Sequence, residues 1–73
     1  MNPMFFQHLK TSAPDITVAE QRMAALTRLQ LTTRQMASMQ GISPDSVHKT
    51  RQRLRLRLGV GNDTNLKDFL GNI

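Results

Sequence analysis

Residues 43 to 59 open with Ser-Pro-Asp and close with glycine, and this punctuation constrains the fold more than any other feature of the chain. Serine is a strong N-cap, proline is pre-organised for a first helical position, and an acid in the first turn suits the positive end of the helix dipole. Gly59 reaches the left-handed conformation that closes a helix at no steric cost. Between these signals lies "Ser-Val-His-Lys-Thr-Arg-Gln-Arg-Leu-Arg-Leu-Arg-Leu", residues 46 to 58, whose alternation of cations and aliphatics invites a strand reading. A strand would set Val47 among the charged side chains and would leave the cap without a purpose. At about 100° per residue, Leu54 and Leu58 instead return to within about 20° of Val47, while Lys49, Gln52 and Arg53 fall on the opposite side. Ser46 and His48 lie toward the edges of that side, with Arg55 and Arg57 on opposite flanks. The segment is predicted as a helix over 44 to 58 with an apolar stripe and a cationic side.

The rest of the chain carries helix punctuation and no hairpin signal. Thr17 with Glu20 forms a Thr-x-x-Glu capping box, which predicts a helix from about 18 to 29. Its apolar stripe is read as Ala19, Met23, Leu26 and Leu29 or Gln30, leaving Glu20, Gln21 and Arg28 in water. Thr32 and Gln35 suggest a second box and a helix over 33 to 40, with Met36, Ala37 and Met39 inward and Gly41 as its stop. Upstream, Pro3 suits the first position of an extra helix over about 3 to 11, with Phe5, Phe6 and Leu9 toward the core. "Thr-Ser-Ala-Pro-Asp" breaks it. Near the C-terminus, Thr64 or Asn65 can cap a helix over about 64 to 71, with Leu66, Phe69 and Leu70 at i, i+3 and i+4. The expected fold class is all-α: one domain spanning 1 to 73, a small bundle of four to five helices containing a helix-turn-helix at about 32 to 58.

Seventy-three residues allow one small core, and the absence of cysteine removes a disulfide framework and thiolate metal sites. The apolar runs are far shorter than the roughly 18 residues of a membrane span, and no secretory leader pattern opens the chain. The chain is read as soluble and cytoplasmic, without membrane contact. Ten Lys and Arg against five acids give a formal charge of +5, and half of those ten lie between 46 and 58. That balance favours nucleic acid or an acidic partner.

Ala37-x-x-x-Gly41 with Val47 six residues on has the spacing of a tight helix pair: a small residue for close approach, glycine for the turn, an aliphatic to pin the second helix. Across residues 31 to 60 it is set in "Leu-Thr-Thr-Arg-Gln-Met-Ala-Ser-Met-Gln-Gly-Ile-Ser-Pro-Asp-Ser-Val-His-Lys-Thr-Arg-Gln-Arg-Leu-Arg-Leu-Arg-Leu-Gly-Val". This stretch resembles the LuxR-type helix-turn-helix effector domain, in the variant found at the C-terminus of large bacterial transcriptional regulators. "Asp-Ile-Thr-Val-Ala-Glu" at 15 to 20 and "Asn-Leu-Lys-Asp-Phe-Leu" at 65 to 70 extend the likeness to nearly the whole chain. The resemblance implies sequence-specific binding of double-stranded DNA, with 44 to 58 entering the major groove. Ser46, Lys49, Thr50 and Arg53 occupy positions where family members touch DNA, and Thr33 and Arg34 those where the preceding helix meets phosphate. Three positions depart from the pattern: Thr50 stands where many relatives carry histidine, Met36 replaces isoleucine, and Leu56 takes a cationic position.

Combining the two readings, Lys49 and Arg53 lead as base readers, followed by Ser46, His48 and Gln52, while Thr33, Arg34, Thr50, Arg55 and Arg57 are assigned to phosphate. The resemblance also implies a weak homodimer on DNA through Leu66, Lys67, Phe69 and Leu70. It further implies a sensor or receiver domain elsewhere in a longer chain, with RNA polymerase as a candidate partner. No cofactor or metal is expected: His48 and His8 lack a second ligand at metal-binding spacing. Met23, Met36 and Met39 read as core fillers, and the sequon Asn62-Asp63-Thr64 as chance. No nucleophile, base and orienter come together in sequence, so no enzyme is expected. Two rivals stand beside this reading: the promoter-reading C-terminal domain of a sigma factor, and a basic helical module for an acidic protein.

Overall fold

The computed structural model describes residues 4 to 73. Pro3, the expected first helical residue, lies outside the described residues. Five helices follow in order: α1 (Phe5–Ser12), α2 (Val18–Arg28), α3 (Thr33–Gln40), α4 (Pro44–Leu58) and α5 (Leu66–Gly71), with no strand among the described residues. The chain is a small all-α bundle.

The caps act as their chemistry requires. Thr17 Oγ1 accepts from the Glu20 N–H at 3.1 Å, and the Glu20 carboxylate accepts from the Thr17 N–H at 3.1 Å. Thr32 and Gln35 repeat the exchange at 2.8 and 3.1 Å. Ser43 Oγ accepts from the Ser46 N–H, with Pro44 beginning α4. Asn65, rather than Thr64, caps α5 by accepting from the Asp68 N–H. Gly41 and Gly59 stop α3 and α4 at φ +66° and +70°, the left-handed conformation that spares glycine a Cβ clash. A third residue in that region has a side chain: Gln30, at φ +63°, turns the chain out of α2.

The core takes at least one residue from every helix: Phe5 and Leu9, Met23 and Ala24, Met36 and Ala37, Val47 and Leu54, Leu66 and Leu70, with Ala13 and Ile16 from the α1–α2 connection. α4 packs against both α2 and α3, and α5 closes on α2. Val47, Leu54 and the half-buried Leu58 form the predicted stripe on α4.

Four expectations are corrected. α2 buries Glu20, Met23, Ala24 and Thr27, leaving Ala19 and Leu29 exposed, a rotation of roughly 80° from the stripe read in sequence. Two neighbours, α4 and α5, set that face, and the capping box already holds the Glu20 carboxylate where Arg57 of α4 meets it at 3.1 Å. Gln21 and Arg28 are half-buried rather than wet, and the Arg28 guanidinium lies 4.8 Å from the Phe5 ring centroid. Phe6 is exposed; it meets Phe5 edge to face, but only Phe5 enters the core, since one face of a two-turn helix admits Phe5 and Leu9. Met39 points outward at 66% exposure: Met36 and Ala37 occupy the side of α3 that meets its neighbours, and Met39 lies beyond its edge.

Candidate functional site

α4 is held on one side and open on the other. Its apolar stripe anchors it, the three-residue turn after Gln40 sets it against α3, and the opposite arc is exposed. His48, Lys49, Gln52 and Arg53 stand on that arc as exposed side chains with no side-chain hydrogen bond or ion pair among the described residues. Leu56, 81% exposed, sits among them one turn beyond Gln52. The only acid on α4 is Asp45 in its first turn, so the arc is cationic and unneutralised. Neighbouring cations on one face repel, and an anionic partner relieves that repulsion.

The other predicted site residues divide. Ser46 is half-buried and its hydroxyl accepts from the Ser43 hydroxyl at 3.1 Å, so its side chain closes the helix start. Thr50 is half-buried and donates back to the Ser46 carbonyl at 2.9 Å. Arg34 is exposed and free at the start of α3. Thr33, beside it, accepts from Arg51 Nη1 at 3.1 Å, a bond that ties the first turn of α3 to the middle of α4.

Arg55 and Arg57 are given to phosphate in the sequence reading, and the fold gives both intramolecular work. Arg55 Nη1 donates to the carbonyls of Gly61 and Thr64, each at 2.8 Å, folding the loop after α4 back onto the helix. Arg57 pairs with the buried Glu20 carboxylate. An arginine engaged with carbonyl oxygens keeps its charge unneutralised, whereas one paired with a carboxylate does not; Arg55 therefore still attracts an anion and Arg57 does so weakly.

The residue missed in the sequence is Arg51. Its guanidinium is half-buried against α3, donating to Thr33 and to Met36 Sδ at 3.9 Å. Desolvation, then the neighbouring Arg55, pushes its pKa below the ordinary guanidinium value. A signal existed: at 100° steps Arg51 lies about 40° from Val47, inside the core-facing half of the helix, where a cation needs a named partner.

On α5, Leu66 and Leu70 are spent on their own core, Phe69 is half-buried, and Lys67 is exposed. A subunit contact through this helix would fall to Lys67 and part of Phe69. No group of three or more His, Cys, Asp or Glu that could hold a metal occurs among the described residues. No described helix is long and apolar enough to cross a membrane.

Fold and surface together define a class: a small all-α domain that presents one partnerless cationic helix face. Comparison with known proteins finds no matching family model, no curated protein and no solved structure of significant similarity.

Proposed function

We propose that the chain is a DNA-binding module of the LuxR-like helix-turn-helix kind, the output domain of a cytoplasmic bacterial transcriptional regulator. α4 would enter the major groove of duplex DNA, and a sensor or receiver half would lie elsewhere in a longer chain. The observation that carries this is the α4 arc itself: His48, Lys49, Gln52 and Arg53 are exposed, without partners, on a helix anchored from behind by Val47 and Leu54. Side chains free of intramolecular bonds can turn to base edges without first breaking anything. Lysine and arginine facing guanine N7 and O6 make the commonest specific contact, and glutamine suits adenine N6 and N7. Arg34 and the Arg51-anchored Thr33 would meet the backbone beside the groove, fixing register rather than sequence.

The test is selection of duplexes from a random pool, followed by fluorescence anisotropy on the enriched site and on a scrambled duplex. Enrichment of a short common site, with tighter binding there, supports the proposal. No retention of any duplex at low salt would remove it and leave the acidic-protein reading of the same face.

A further inference from the structure

Beside the exposed arc of α4 lies a second cationic feature. An open cleft of about 400 Å³ is lined by Arg51 and Arg55 of α4, Asp63 and Thr64 of the connecting loop, and Lys67 of α5. The two guanidiniums are neighbours close enough for the charge of Arg55 to depress the pKa of Arg51, which burial has already lowered. Neither has a carboxylate partner among the described residues. Arg51 bonds to a hydroxyl and a thioether, Arg55 to two carbonyls, and Lys67 to nothing. Asp63 lines the cleft without pairing with any of them, since Arg57–Glu20 is the single ion pair among the described residues. The fold thus holds three cations around one opening, two of them as half-buried like charges.

We infer that this cleft binds a phosphate group, held by Arg51, Arg55 and Lys67. Guanidinium forks match the tetrahedral oxyanion in geometry, and the ammonium adds a point charge at the rim. On the helix wheel Arg55 lies about 20° from His48, so the cleft borders the arc proposed to face DNA. Arg51 also reaches Thr33 at the start of α3. The occupant that fits this position is a backbone phosphate of bound duplex, which rests on the reading under Proposed function; a free phosphate ion has the same chemistry.

The experiment is an NMR titration of the ¹⁵N-labelled chain with sodium phosphate against sodium chloride at matched ionic strength. The expected result is saturable movement of the Arg51 and Arg55 Nε–H signals and the Thr64 to Lys67 amides in phosphate only, with Lys49 and Arg53 still. Lys67→Gln, which breaks no intramolecular bond, should weaken this binding about threefold, the scale of one partly exposed charge contact. Arg51→Gln should weaken it further, with circular dichroism confirming the fold. Equal or linear shifts in both salts, or phosphate binding untouched by Lys67→Gln, would overturn the site. A second arm repeats the phosphate titration on protein saturated with a half-site duplex. Loss of the phosphate response there identifies the occupant as DNA backbone, and its persistence identifies a free anion. If no duplex binds, the proposed function fails while the first arm still decides the cleft.

Discussion

Lys49 and Arg53 make no side-chain hydrogen bond or ion pair among the described residues, so replacing either with alanine leaves the fold in place. Lys49→Ala or Arg53→Ala should cost about 1 to 3 kcal/mol on the preferred duplex, with a much smaller loss on scrambled DNA. Arg34→Ala should weaken both duplexes by similar amounts, as a phosphate contact does. Anisotropy titrations at one salt concentration check this; equal losses on both duplexes for all three variants would remove the reading assignment. Arg57 behaves oppositely. Its partner Glu20 is 2% exposed, and Arg57→Ala leaves that carboxylate with only the Thr17 N–H. Because the arginine side chain is itself 40% exposed, the loss falls below that of a fully buried pair, about 1 to 2 kcal/mol, read as a lower urea midpoint. Gln30 offers a gain: at φ +63° its Cβ strains the backbone, and Gln30→Gly should raise stability by about 0.5 to 1 kcal/mol in the same assay.

Side-chain caps hold the starts of α2 to α5 and glycines close α3 and α4, and helices this short are marginal without such support. Ser43→Ala removes the acceptor for the Ser46 N–H and should cost about 1 kcal/mol. Gly41→Ala meets no heavy atom within 4 Å, so its cost is purely that of the left-handed backbone, about 1 to 2 kcal/mol. Thermal unfolding of both variants checks these values; a neutral Gly41→Ala would show that the α3–α4 turn adapts. α5 has only six residues and survives by burying Leu66 and Leu70. Phe69→Ala, at a half-buried position, should lower stability less than truncating either leucine would.

The whole molecule measures 29 Å along its longest axis. Successive major grooves on one side of duplex DNA lie about 34 Å apart, so one copy can serve one half-site and a symmetric site would take two. With Leu66 and Leu70 buried, the outer surface of α5 offers Lys67, Asp68 and part of Phe69, too little apolar area for strong association in solution. The chain should sediment as a monomer and pair only on DNA. Lys67→Glu removes a cleft cation at each half-site as well as the subunit contact, so its free-energy loss on a two-half-site duplex should exceed twice its loss on a single half-site, and a tight dimer without DNA would refute the arrangement. Neutralising roughly four to six phosphates should give a slope of about −4 to −5 in log K against log salt. A flat dependence would mean that the cationic arc faces something other than a phosphate backbone.

What the sequence by itself determined is local. Thr17 with Glu20, Thr32 with Gln35, Ser43 with Pro44, and Gly41 and Gly59 place the ends of α2, α3 and α4 within a residue or two, because a cap acts over three or four residues. The stripe of Val47, Leu54 and Leu58 was legible for the same reason: fifteen residues give the helical period room to separate one side of α4 from the other. Only the tertiary structure decided which side of α2 turned inward and where the buried edge of α3 falls. In α2 two packing neighbours rotated the buried face onto Glu20 and Thr27, and in α3 Met39 fell outside it. It decided, too, which arginines remain available. Arg51, Arg53, Arg55 and Arg57 look alike along the chain, yet Arg53 makes no side-chain bond among the described residues, while the partners of the other three come from α3, the 61 to 64 loop and α2, at separations of 6 to 37 residues that no local pattern records.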